Sequence, residues 1–244
     1  MGTVDAGEVE RFRRLARNWW DPAGEFAPLH RLNPVRLGFI RERLLRHFAR
    51  DARSLRPFAG LRLVDIGSGG GLVAEPMARL GFDVTGIDAD DAAIEVARAH
   101  AADAGLAIDY RAAAVEDLAA AGRRFDAVLA LEIAEHAGDQ PLFLAALAGL
   151  VAPGGALVLS TINRTAKSFA LAVIGAEYLL RWLPRGTHRW EKFLRPSEVA
   201  AVLRREGMTV AEIAGIVYDP LRGVWSVQES DIAVNYFLFA RKPK

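Results

Sequence analysis

The 244-residue chain is predicted to fold as an α/β domain: a mainly parallel, seven-stranded sheet flanked by helices, with an antiparallel C-terminal strand. Three observations predict this. Short β-branched and apolar runs alternate with helical segments through the middle of the chain, the order that gives parallel strands with right-handed crossovers. The first of these strands opens directly into a glycine turn, in the run Leu63-Val64-Asp65-Ile66-Gly67-Ser68-Gly69-Gly70-Gly71. The alternation then stops near the C-terminus, where two strand-like runs follow one another with no helix between them.

The elements follow in order. Glu8 to Trp20 is predicted as a helix, with Phe12, Leu15, Trp19 and Trp20 on or near one face. A loop rich in Pro, Gly and Asn leads to a second helix over Pro34 to Phe48, where Pro34 suits the first turn. Leu61 to Ile66 is the first sheet strand, and Leu72 to Leu80 its helix. Asp83 to Asp88 is the second strand, followed by a helix over Asp91 to Ala104. The third strand lies near Ala107 to Ala112. Phe125 to Leu131 is the fourth, with a helix through Leu142 to Leu150. A Pro153-Gly154-Gly155 turn introduces the fifth, Ala156 to Ser160. Met208 to Tyr218 and Asp231 to Ala240 then form a hairpin that turns the last strand antiparallel.

Composition narrows the function. Apolar residues make up 52% of the chain, ample for a buried core, and 31 basic residues balance 30 acidic ones. No nucleic-acid partner is expected from that balance. The absence of cysteine excludes disulfides and thiolate metal sites and favours a reducing compartment. Met1 to Arg14 lacks the apolar core of a secretory signal, and no apolar run reaches the ~18 residues of a membrane span.

The glycine turn carries the chemistry. Little side chain in such a turn lets backbone N–H groups approach a ligand. The dinucleotide pattern G-x-G-x-x-G fails because Leu72 stands at its third glycine. The pattern is D-x-G-x-G-x-G instead, with Asp65 ahead of Gly67, Gly69 and Gly71. An anion there repels a pyrophosphate and attracts a cation, which points to a positively charged nucleoside such as S-adenosylmethionine. Asp88 ends the second strand about 20 residues beyond the turn, where an acid can take both ribose hydroxyls. Val115 and Glu116 would border the adenine, and Leu131 and Glu132 end the fourth strand beside the same pocket.

These residues resemble the Rossmann-like class I S-adenosylmethionine-dependent methyltransferases. Further blocks narrow the likeness: Asn18-Trp19-Trp20-Asp21, Pro28 to Arg36, Glu132-Ile133-Ala134-Glu135-His136, Ser160 to Arg164, Gly175-Ala176-Glu177-Tyr178, Gly186-Thr187-His188 and Asp231 to Tyr236. In these, over nearly the whole chain, the sequence resembles the ubiquinone biosynthesis O-methyltransferases. One departure is Ala114, where many class I relatives place an aspartate towards the adenine amine; backbone groups or Glu116 must supply that polarity. The resemblance implies O-methylation of phenolic hydroxyls on polyprenylated rings, at two steps of the quinone pathway. It puts cofactor contacts on Arg36, Gly67, Asp88 and Leu131, to which the turn adds Asp65 and Gly69 and the third strand Val115. Arg36 would hold the methionine carboxylate by a bidentate pair.

A phenol has a pKa near 10, so the site must favour its deprotonated form. Glu132 and His136 are the candidate catalytic residues. With Glu135 they are spaced to share one face of a helical turn, and the resemblance implies that the three bind a divalent metal such as Mg²⁺. His136 acting as a general base without metal is the alternative. The run Ser168 to Pro184 has an apolar helical face and a basic border at Arg164, Lys167, Arg185 and Arg189. That pattern suits a helix in a membrane interface and equally a core helix inserted after the fifth strand. The resemblance favours a lid touching anionic lipid through residues 164–189, with a quinone-biosynthesis complex as the candidate assembly. One domain is expected, comprising a helical cap (1–60), a cofactor core (61–163), a lid (164–195) and a C-terminal helix and hairpin (196–244). The expected location is the cytoplasm, peripheral to the inner face of the cell membrane. Two rivals remain at this level: a class I methyltransferase acting on another small phenol or carbon nucleophile, and a cofactor-binding module without catalysis.

Overall fold

The computed structural model describes residues 2–13, 18–171, 189–220 and 222–244. Its centre is an eight-stranded sheet, one strand more than the sequence suggested, in the order β3-β2-β1-β4-β5-β8-β6-β7. The parallel half comprises β1 (Arg62–Ile66), β2 (Asp83–Asp88), β3 (Asp109–Ala112), β4 (Phe125–Leu131) and β5 (Val151–Ile162). The antiparallel half is β8 (Asn235–Arg241), β6 (Thr209–Asp219) and β7 (Val224–Gln228). β7 is the unexpected strand. Its five residues, Val-Trp-Ser-Val-Gln, pair with β6 at the sheet edge, too short and too exposed to stand out as a periodic run.

Both faces of β1, β2, β4 and β5 are largely buried, as crossover helices require, while β3 at the sheet edge is mostly exposed. Val64, Ile66, Val128 and Ala130 pack on one side with α6 (Gln140–Leu150) and α8 (Pro196–Arg205). Leu63, Ala127 and Leu129 alternate onto the other, with α2 (Ala27–His47), α3 (Ala74–Arg79) and α4 (Asp91–Asp103). A short α5 (Val115–Ala120), not anticipated from the sequence, follows β3.

The cap departs most from expectation. α1 covers Ala6–Arg13, and Trp19 and Trp20 lie in a turn rather than on that helix; residues 14–17 are outside the described region. α2 starts at Ala27, not Pro34. Pro28 occupies its first turn, and Pro34 sits inside. A proline there lacks the N–H that would reach the His30 carbonyl and crowds that carbonyl as well. The helix nevertheless continues, because Leu32, Phe39, Ile40 and Leu44 are buried against the sheet. Asn33 Nδ2 also ties it to the Leu72 carbonyl at 2.9 Å. Tertiary burial outweighs the local breaker. After β5, the short α7 (Ala166–Ser168) starts the insertion; residues 172–188, which include most of the expected lid helix, lie outside the described region.

Candidate active site

The carboxyl ends of β1, β2 and β4 converge on a cavity of about 630 Å³. In the turn after β1, the N–H groups of Gly67 and Ser68 both donate to the Ile87 carbonyl, at 2.8 and 2.9 Å. Gly67 takes φ +74° and its α-carbon faces Ile133, so an added Cβ would come within 2.8 Å of that side chain. Only glycine meets both demands. At β2, the Asp88 carboxylate accepts from the Gly69 N–H (Oδ2, 2.9 Å) and the Asp90 N–H (Oδ1, 2.9 Å). Burial pushes the Asp88 carboxyl up, opposed by these N–H groups.

Arg36 reaches the cavity from α2 and is 5% exposed. Its Nη2 lies 3.8 Å from Glu132 Oε1, and Nε and Nη2 have no hydrogen-bond partner among the described residues. Burial lowers its pKa, against the pull of Glu132, Glu135 and Asp65. Asp65, 3% exposed, is raised from 3.8 to about 7, first by burial and then by Asp88, with Arg36 opposing. One guanidinium with free donors therefore sits among several carboxylates.

Glu132 follows β4 at φ +54°, a left-handed conformation that is rare for a side chain of this size and clusters at functional sites. Its N–H is fixed to the Ser160 carbonyl at 2.9 Å. Its carboxylate accepts from Ser160 Oγ at 2.8 Å and from Asn235 Nδ2 at 3.2 Å. Glu135 accepts from Thr161 Oγ1 at 2.7 Å. Burial and the neighbouring Glu132 raise the Glu135 carboxyl, while His136 and Thr161 oppose the shift. His136 is half-buried on the same wall. The expected helical face is absent: only Ala134–His136 is helical, a single 3-10 turn. The kink at Glu132 brings the two carboxylates together instead. Among the described residues, no three acidic or histidine side chains converge as a ready-made metal site.

Arg36, Asp65, Gly67, Asp88, Val115, Leu131, Glu132, Glu135 and His136 all line this cavity. Gly69 differs: its N–H is taken by Asp88, and the Trp19 ring lies against it and Gly70, where a Cβ would stand. Trp20 Nε1 bonds the Gly70 carbonyl at 2.9 Å, and its ring stacks on His100 at 3.5 Å. The Glu116 carboxylate accepts from the N–H and hydroxyl of Thr3. The N-terminal strap at Thr3 and the β6–β7 side chains Tyr218 and Trp225 had no recognisable signal as site residues, and only folding brings them to the cavity. Ser160 and Asn235 lie in blocks that carry the family resemblance, but nothing in the sequence pairs them with Glu132.

A β-sheet in this order, a glycine turn with a preceding acid and an unsatisfied buried arginine define a methyltransferase. A family model described as a methyltransferase domain matches residues 36–213. Among solved structures, magnesium protoporphyrin IX methyltransferase from Synechocystis with bound SAH aligns at TM-score 0.63 and 18% identity, covering 96% of this chain and 94% of that one. A possible histamine N-methyltransferase from Thermotoga maritima aligns at 0.64 and 17%, covering 98% and 99%. At these identities the likeness establishes the fold. Sequence relatives are far closer. The ubiquinone biosynthesis O-methyltransferase of Azorhizobium caulinodans is 56% identical over 98% of this chain and 94% of its own length. That of Brucella anthropi is 52% identical over 99% and 97%. The chain belongs to the ubiquinone biosynthesis O-methyltransferase family.

The raised Asp65 carboxyl gives a pH prediction. Between its ordinary 3.8 and about 7, the folded, unliganded protein holds a proton that the unfolded chain has released. This component of stability therefore falls as pH rises through that interval and levels off above it. Urea unfolding of Asp65→Asn at about pH 4.5 and about pH 8 should show the variant gaining on the parent at the higher pH. Parallel stability curves would remove Asp65 as the source.

Proposed function

We propose that the chain transfers the methyl group of S-adenosylmethionine to phenolic hydroxyls of polyprenylated rings, at the O-methylation steps of ubiquinone biosynthesis. The single observation that carries the cofactor assignment is Arg36, whose buried Nε and Nη2 have no hydrogen-bond partner among the described residues. A buried donor without a partner costs stability, and the methionine carboxylate satisfies both nitrogens at once. Gly67 and Leu131 border the adenosine, Val115 packs at the adenine, and Asp88 takes the ribose by exchanging a backbone N–H for a hydroxyl. The sulfonium suits a cavity end that carries Asp65, because a bound cation favours the ionised acid.

In the transfer, the phenolic oxygen attacks the methyl carbon, the carbon–sulfur bond breaks, and its electron pair stays on sulfur. His136 takes the phenolic proton. Glu132, held by Ser160 and Asn235, fixes the ring hydroxyls for attack. Residues 1–60 serve as a cap, 61–163 as the cofactor core, 164–195 as the insertion and 196–244 as the C-terminal helix and hairpin. A purified preparation should methylate a catechol. In Arg36→Ala, the cofactor Kd by calorimetry should rise about 10- to 100-fold. In Glu132→Gln, kcat should fall about 100-fold with that Kd held. An unchanged Kd in the first variant refutes the arginine's role.

A divalent cation such as Mg²⁺ at Glu132, Glu135 and His136 is part of the same proposal. Its support is chemical: the neighbouring Glu132 helps to raise the Glu135 carboxyl, and a cation between the two carboxylates would relieve that repulsion. When bound, it would lower the pKa of a coordinated phenol. In this arrangement the carboxylates are engaged with Ser160, Thr161 and Asn235. Calorimetric titration of the stripped protein with Mg²⁺ should show binding that is lost in Glu135→Gln, and chelation should slow turnover. Full activity and no binding heat after stripping reject the ion.

Contact with anionic lipid through 164–189 brings the enzyme to a membrane-dissolved acceptor, with a quinone-biosynthesis complex as its setting. Phe169 and Leu171 are 44% and 52% exposed, which supports this. Among the described residues no helix is long and apolar enough to cross a membrane. Flotation with anionic vesicles should carry the protein, and Phe169→Ala with Leu171→Ala should weaken it; failure to float with the parent chain rejects the contact.

A further inference from the structure

The cavity has two chemically distinct ends. Asp65, Gly67, Asp88 and Val115 wall it on the parallel side; Leu29, Leu32, Ile216, Tyr218 and Trp225 wall it on the antiparallel side. The cofactor contacts proposed above leave this second set unused. Strand register shows how the set is built. Asn235 on β8 pairs with Ile162 on β5 and with Ile216 on β6, and Tyr218 pairs with Trp225 on β7. Residues opposite one another in an antiparallel ladder share a face, as do residues two apart on a strand. Asn235, Ile216, Tyr218 and Trp225 therefore lie on one face of the sheet.

Asn235 is also the side chain that donates to Glu132 Oε2 at 3.2 Å. The apolar floor thus begins at the residue holding the catalytic carboxylate and runs across two strands, about 10 Å, to the β6–β7 hairpin. The roof changes in the same direction. Leu29, Leu32 and Arg36 are spaced three and four apart on α2, hence on one helix face, with the cation at the acidic end. At the far end Trp225 is half-buried, packs on the core that includes Leu32, and lies 5.0 Å from the Tyr218 ring.

We infer that this arm seats the isoprenoid tail of the acceptor, with Trp225 and Tyr218 as the residues that read it; the inference rests on the O-methyltransferase function proposed above. A tail laid from Asn235 towards Trp225 leaves the ring hydroxyls beside Glu132 and His136. Its binding comes from apolar area removed from water, so it acts on prenylated rings and not on bare ones.

The test compares kcat/KM for a catechol ring without a tail and the same ring carrying two isoprene units, in the full-length protein. The ratio of the two values isolates the tail. Trp225→Ala and Leu29→Ala, one from each wall, should lower that ratio about tenfold or more, and calorimetric cofactor binding shows that each variant is folded. Leu29→Ala carries the test if Trp225→Ala does not fold. An unchanged ratio in the folded variants overturns the inference. A ratio that falls only in Phe169→Ala overturns it too, placing the tail on the insertion. Failure of the parent protein to methylate either ring instead overturns the function on which the inference rests.

Discussion

A guanidinium removed from water with two of its donors unpaired is costly, and Arg36 is held that way by everything around it. The α2 helix carries it into the sheet's carboxyl edge, where Asp65, Glu132 and Glu135 face it. None of these carboxylates is a close partner: Glu132 stands at 3.8 Å, and Asp65 and Glu135 act through space. The arrangement has attraction enough to keep the arginine in place and donors enough left over to take an anion. It also explains why α2 tolerates Pro34 two residues before Arg36. The helix is fixed by the burial of Leu32, Phe39, Ile40 and Leu44 along with Arg36, so losing one backbone bond does not release it.

The glycine turn has a second dependence, on the cap. Gly69 and Gly70 leave room on their outer side for the Trp19 ring, while Trp20 bonds Gly70 and stacks on His100, whose Nδ1 meets Glu75 Oε1 at 2.6 Å. The glycines thus serve two neighbours, the cavity at Gly67 and the tryptophan at Gly69. The N-terminal strap closes from the other side, with Thr3 on Glu116 and the Thr3 carbonyl accepting from Gly138 N–H at 2.7 Å. Two parts of the N-terminal cap thereby close on one site from opposite sides.

The parallel half was legible because its signals are local. Period, turn and strand-end acids all fall within single βα units, and β2 and β4 match their expected spans residue for residue. Signals that depend on tertiary context were misread. Pro34 reads as a helix start until burial of Leu32 and Phe39 is known. Glu132, Glu135 and His136 read as one helical face because a spacing of three and four suggests it; nothing local announces a positive φ at Glu132. The motif at Gly69 likewise does not reveal the Trp19 ring that lies against it. β7 was missed because five half-exposed residues acquire strand character only by pairing with β6.

The order of the sheet assigns work to its two halves. Parallel strands end together at one edge, which collects acids and turn N–H groups there and suits a charged, polar cofactor. Antiparallel strands alternate direction, so β8, β6 and β7 cannot gather such ends; they offer a continuous apolar face instead. β5 is the seam, parallel to β4 and antiparallel to β8. Ser160, on β5, and Asn235, on β8, reach across it to the same Glu132 carboxylate. In the proposed reaction a methyl group passes from a polar donor to an apolar acceptor, and the carboxylate lies where the two kinds of surface meet. A shift of one residue in the β5–β8 register would turn Asn235 to the opposite face. The antiparallel C-terminal strand therefore shapes the proposed site as well as the fold.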